Sequence, residues 1–148
     1  MPLRVKDPAP DFSLPSTSGK TFNLRQNVEN NPIVLYFYPK DFTPACTREA
    51  CSFRDEFSAF KNLKVTVVGI SRDTIETHHK FQKHHDLPFE LLSDRSGSVA
   101  KQFKALIPVV KLPRRITYLI NTDMTIAAVY EDMFGAEKHI SQMLGRLS

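Results

Sequence analysis

The chain has 148 residues, 41% hydrophobic and 24% charged, which fits one domain over residues 1–148 able to bury a real core. No window approaches a membrane span, and the opening Met1-Pro2-Leu3-Arg4-Val5-Lys6-Asp7-Pro8 has no apolar leader region, so neither a membrane nor export is expected and a cytoplasmic protein is. The net charge of +4 comes from basic residues scattered among acids, such as Lys101, Lys104, Lys111, Arg114 and Arg115, without the basic run a nucleic-acid binder would carry, so no nucleic acid is expected as a partner.

In chain order, Asp11-Phe12-Ser13-Leu14 and Thr21-Phe22-Asn23-Leu24 alternate polar and apolar around Ser18-Gly19-Lys20, which predicts an N-terminal β-hairpin. Ile33 to Tyr38 is a continuous β-branched and aromatic run, as in a central strand buried on both faces. From Pro44 to Phe60, the spacing of Phe53, Phe57 and Phe60 predicts a helix. Lys64 to Ile70 reads as a second buried strand, Thr74 to Asp86 as a helix and Phe89 to Leu92 as a short strand. Ser96 to Phe103 reads as a short helix with Ser96 as its N-cap. Strands at Ile116–Ile120 and Ile126–Tyr130 join through Asn121-Thr122-Asp123-Met124, and a helix from Glu137 to Leu147 follows. Strands alternating with helices, then a hairpin and a helix, predict a three-layer α/β sandwich with a mixed sheet.

Both cysteines, Cys46 and Cys51, lie at the start of the Pro44 helix, just after the buried strand. Two cysteines are too few for a structural disulfide framework. The first turn of a helix offers unpaired N–H groups and the positive end of the dipole, which favour a thiolate, the reactive form of cysteine. Cys46 shares the stripe of Phe53, and Cys51 points away from it. In an intact helix the two Cα atoms would stand about 8–9 Å apart, beyond the roughly 7 Å reach of a disulfide. A bond between them would require the first turns to unwind. On residues alone, two unrelated buried cysteines remain open, and two thiols without nearby His or Cys make an incomplete metal site.

The pattern Pro39-x-x-x-Thr43-x-x-Cys46 resembles the active-site signature of peroxiredoxins, and the string from Tyr38 to Cys51 is similar to the peroxiredoxin Q, or bacterioferritin comigratory protein, group. Ala9-Pro10-Asp11-Phe12, Gly69-Ile70-Ser71-Arg72-Asp73, Leu91-Leu92-Ser93-Asp94 and Arg115-Ile116-Thr117-Tyr118-Leu119-Ile120 extend the likeness along the chain. The resemblance implies a thioredoxin-like fold and reduction of hydrogen peroxide and organic hydroperoxides. It implies Cys46 as the peroxidatic thiol and Cys51 as the resolving thiol, joined by an intramolecular disulfide that a thioredoxin-like dithiol reduces. Thr43 would hydrogen-bond the thiolate or the peroxide, Arg115 would supply the cation, and Pro39 would shape and shield the pocket. No cofactor or metal is called for, and a resolving thiol in the same chain favours a monomer or weak dimer.

Family spacing selects Arg115 over Arg114, and Thr43 serves equally as an N-cap. Glu49 reads as a helix-start charge and stays outside the set. Two departures stand out: the family's Asp-x-x-Gly type of turn is Asn121-Thr122-Asp123-Met124 here, and the apolar loop 105–113 is short, reading equally as pocket rim, contact surface or packed core. His78, His79, His84 and His85 contain no i, i+4 metal pair and read as a solvated helix face, with Phe81 as that helix's core residue. A disulfide reductase would carry Cys-x-x-Cys rather than the four-residue gap found here, and a redox-sensing module is the non-enzyme alternative.

Overall fold

The computed structural model describes residues 2–131 and 136–147. Strands β1 (Ser13–Pro15) and β2 (Thr21–Asn23) form the expected antiparallel hairpin, with Leu14 opposite Phe22. Leu24 does not extend β2. The Asn23 side chain accepts a hydrogen bond from the Gln26 N–H at 3.0 Å and opens α1 (Leu24–Val28) instead. The main sheet contains β3 (Ile33–Phe37), β4 (Thr66–Ser71), β5 (Glu90–Ser93), β6 (Ile116–Ile120) and β7 (Ile126–Glu131), in the order β5-β4-β3-β6-β7. β3 runs parallel to β4, and β4 to β5, whereas β6 is antiparallel to both β3 and β7.

Strand alternation divides the apolar residues into two cores. Ile33, Leu35 and Phe37 face one side with Val68, Ile70, Leu92 and Ile116, under Phe22, Leu24, Val99 and Phe103. Val34 and Tyr36 face the other with Val67, Leu91 and Leu119, under Phe53, Phe60, Phe81 and Met143. The second layer comes from α2 (Pro44–Asp55), α3 (Phe57–Asn62), α4 (Ile75–His84) and α6 (Ala136–Leu147), while α5 (Ser98–Gln102) lies on the first. This is the three-layer, thioredoxin-like α/β sandwich with a mixed sheet. No helix among the described residues is long and apolar enough to cross a membrane.

Two helix expectations need correction. The helix expected from Pro44 to Phe60 breaks at Glu56 (φ −100°, ψ 9°), so α2 and α3 are separate, yet Phe53 and Phe60 still share a core. The N-cap of α5 is not Ser96. Gly97 takes that position with a left-handed φ of 78°, and the buried Asp94 carboxylate accepts from the N–H groups of Val99 and Ala100.

The ends of α3, α4 and α5 share one device. Lys64, Asp86 and Lys104 adopt left-handed φ values of 59°, 51° and 55°. Beyond each, a buried apolar residue donates its N–H back into the last turn: Val65 to Phe60, Leu87 to Gln82 and Ala105 to Ala100. These are Schellman closures built without glycine, so each carries a steric cost that a buried C-terminal contact offsets. The β6–β7 turn behaves likewise. Met124 holds φ at 65° in a turn without glycine, and its side chain is buried in the first core. The loop 105–113 is core at its ends, where Ala105 and Pro113 are buried, and surface at its tip: Val109 and Val110 are 90% and 59% exposed, and the turn closes on itself through Ile107 N–H to Leu112 O at 2.9 Å.

Gly69 is required by its neighbour. A Cβ there would lie 2.7 Å from Tyr36 Cζ and 3.0 Å from Leu91 Cδ2. Its absence lets the Tyr36 ring stack on Phe53 at 4.6 Å. Gly69→Ala should therefore cost about 1–3 kcal/mol in urea melts through overpacking. Lys64→Gly and Lys104→Gly should each gain about 0.5–1 kcal/mol by relieving the left-handed backbone.

Candidate active site

β3 delivers the chain into the loop from Tyr38 to Thr43, with Pro39 half-buried at the exit of the strand. Thr43 is the N-cap of α2 by its extended backbone, and Pro44 occupies the first turn. The Thr43 carbonyl accepts the first helical bond, from Thr47 N–H at 2.8 Å. Its side chain does not cap the helix. The hydroxyl turns back and donates to the Lys40 carbonyl at 2.8 Å. Asn23 and Thr74, at the same position of α1 and α4, do cap with their side chains. Helix geometry therefore leaves the Ala45 and Cys46 N–H groups without an intrahelical acceptor and without the usual side-chain substitute.

Cys46 is 1% exposed and shares its core with Phe53, as the stripe predicts. Arg115, half-buried just before β6, donates from Nη2 to Cys46 Sγ at 3.3 Å and from Nη1 to Glu49 Oε1 at 2.8 Å. Arg114 is exposed. Burial works against the Arg115 charge, but Glu49 and the Cys46 sulfur outweigh it and hold its pKa above the ordinary arginine value. Glu49, omitted from the sequence-based set, is buried beneath the guanidinium. Its spacing from Cys46 is the one signal that could have found it, because i and i+3 share a helix face. Thr43 is close in sequence, but its hydroxyl is engaged with Lys40 and not with the sulfur.

Cys46 and Cys51 are both free thiols within the unbroken α2. That places their Cα atoms about 8–9 Å apart by helix geometry, too far to bond without local unwinding. Cys51 is half-buried, and its Sγ lies 3.8 Å from His85 Nδ1.

The expectation of a solvated histidine face fails at His78, which is fully buried. Its Nε2 donates to the Leu92 carbonyl at 2.9 Å, since a carbonyl oxygen only accepts. Its Nδ1 meets Asp41 Oδ2 at 2.6 Å, and both side chains are fully enclosed. Tyr38 donates its hydroxyl to Asp41 Oδ1 at 2.6 Å, and burial with nearby Tyr36 and Asp41 raises its pKa well above the usual tyrosine value. The Asp41 N–H donates to Asp73, which also accepts from the Ser71 hydroxyl. Asp41, Asp73 and His78 bring ligand-type atoms within 4.8 Å of one another, and each is already committed to these bonds. The network clamps the loop to β4, α4 and β5. Between Asp41 and Thr43, Phe42 is held at φ 65° with its ring 49% exposed, a strained residue fixed from both sides.

A cysteine at an uncapped helix start, touched by an arginine and followed by a second thiol in a thioredoxin-like sheet, defines a thiol-dependent peroxidase. The AhpC/TSA family model matches residues 5–129. A peroxiredoxin bcp of Coxiella burnetii is 36% identical over 153 residues, spanning 99% of this chain and 100% of the relative. The chloroplastic peroxiredoxin Q of Sedum lineare is 40% identical over 136 residues, spanning 91% of this chain and 73% of the relative. The crystal structure of peroxidoxin BcpB from Mycobacterium tuberculosis shares 34% identity and a TM-score of 0.92, covering 98% of this chain and 96% of that one. The chain belongs to the AhpC/TSA family and is a peroxiredoxin.

The Asp41–His78 clamp yields a stability prediction. Asp41→Ala or His78→Leu alone strands a buried partner and should cost about 3 kcal/mol or more, whereas the double variant should cost clearly less than their sum. Additive losses in a urea double-mutant cycle would show that the pair is not coupled.

Proposed function

We propose that Cys46 is the peroxidatic nucleophile and Cys51 the resolving thiol of an enzyme acting on hydrogen peroxide and organic hydroperoxides. The observation that carries this reading is the Arg115 guanidinium on Cys46 Sγ at the uncapped start of α2. The Cys46 thiolate attacks one peroxide oxygen, the S–O bond forms as the O–O bond breaks to leave a sulfenic acid, and the departing oxygen takes from solvent the proton that Cys46 lost on ionising and leaves as water or alcohol. Arg115 stabilises negative charge on the sulfur and on the departing oxygen, and the Ala45 and Cys46 N–H groups add to that cradle. Thr43, whose hydroxyl donates its hydrogen bond to the Lys40 carbonyl, presents lone pairs that accept the peroxide O–H. Pro39 shields one side of the site and offers no N–H to compete. Glu49 positions Arg115.

α2 then opens at its first turns. Cys51 attacks the Cys46 sulfenic sulfur, the S–S bond forms, and the hydroxyl leaves as water. A thioredoxin-like dithiol reduces the disulfide by exchange and restores both thiols. With the resolving thiol supplied in the same chain, the enzyme works as a single-domain monomer or weak dimer in the cytoplasm.

Cys46→Ser should abolish peroxide turnover with a thioredoxin donor. Cys51→Ser should form the sulfenic acid and stop there, as mass spectrometry with a sulfenic-acid trap would show. Peroxide turnover with thioredoxin that persists at the wild-type rate in Cys51→Ser would rule out the resolving assignment. Arg115→Ala should lower kcat/KM for hydrogen peroxide by about 10²-fold or more. Glu49→Gln should lower it by a smaller factor, because Arg115 keeps its charge but loses its orienting partner.

A further inference from the structure

Resting on Cys51 as the resolving thiol, we propose that His85 is a further catalytic residue, the base that takes the Cys51 proton when the disulfide closes. His85 Nδ1 lies 3.8 Å from Cys51 Sγ, within hydrogen-bond reach of sulfur. Such contacts are often long in the resting enzyme and tighten along the reaction. The imidazole is fixed at the C-cap of α4. Phe81 sits edge-on at 5.1 Å, His84 at 4.7 Å and Phe42 at 6.4 Å. From α2, Arg54 donates to the His85 carbonyl at 2.8 Å, just beyond Cys51 in the chain. That bond ties the end of α2 nearest Cys51 to the end of α4.

The groups facing His85 are Cys51 and Arg54 from α2, with His84 and Asp86 beside it in the chain. Partial burial, His84 and Arg54 lower its pKa, outweighing Asp86, which favours the neutral ring; with the ring proton on Nε2, the Nδ1 lone pair faces the thiol. The step balances. The Cys51 S–H proton passes to Nδ1, the thiolate attacks the Cys46 sulfenic sulfur, and the S–S bond forms as the S–O bond breaks. The leaving hydroxyl takes a proton to become water, and the imidazolium returns its proton to solvent. The attacking sulfur therefore needs no low thiol pKa of its own, which would weaken it as a nucleophile.

The test is a single-turnover measurement with one equivalent of hydrogen peroxide, following sulfenic acid formation and disulfide closure separately in wild type, His85→Gln and Cys51→Ser across pH 5–9. His85→Gln should leave sulfenic acid formation unchanged and slow closure at pH 7 about tenfold or more. Wild-type closure should fall on acidification with a midpoint below the ordinary histidine value, and the variant should lose that limb. Closure in His85→Gln at the wild-type rate, or slowed by a constant factor with the acid limb retained, would overturn the catalytic role. If the oxidised wild type carries a Cys46–Cys51 disulfide within one chain, such a result counts against His85 alone. If oxidation of the wild type instead links two chains through Cys46, the resolving assignment fails and takes the His85 role with it.

Discussion

The Arg115 guanidinium bridges two residues of one helix, the buried Cys46 sulfur and the buried Glu49 carboxylate. A half-buried cation needs a compensating anion, and Glu49 supplies it from beneath. That leaves Nη2 aimed at the sulfur. The rest of the site is arranged so that this contact persists. β6 fixes the root of Arg115 beside β3, β3 leads through the loop to α2, and the Cys46–Phe53 stripe seats α2 on the second core. Thr43 withholds its side chain from the cap, so the first N–H groups of α2 are left without that acceptor.

The same helix that builds the site prevents the second thiol from reaching it. In α2 as it stands, Cys46 and Cys51 are on different faces and too far apart to bond. The surroundings divide the labour mechanically. On one side, Asp41, His78, Tyr38 and Asp73 clamp the loop to the sheet and to α4. On the other, Arg54 holds the distal part of α2 to the end of α4. Between these two anchors, α2 is held by Arg115, through Glu49 and the Cys46 sulfur. Phe42 sits at the junction with a left-handed backbone.

Much of this was legible in the sequence because it is local. The apolar run from Ile33 to Tyr38 could only be a two-sided central strand, and the Phe53 spacing put Cys46 on the core face. The Pro39-Thr43-Cys46 spacing and the choice of Arg115 over Arg114 came from resemblance, and the structure brings Cys46 and Arg115 into contact. What was not legible depends on partners distant in sequence. His78 looked like one of four solvated histidines because its partner Asp41 is 37 residues away. Glu49 looked like a dipole charge because Arg115 is 66 residues away. The helix ends at Lys64, Asp86 and Lys104 were hidden for another reason: tertiary contacts hold left-handed conformations that usually advertise themselves as glycine.

Amide hydrogen exchange on the reduced protein and on the Cys46–Cys51 disulfide form tests the central claim directly. Protection should be lost over about Thr43 to Phe53 on oxidation, while β3, β6 and the segment around His78 keep theirs. Equal protection of α2 in the two states would mean that the thiols join without the helix opening, and would contradict the account.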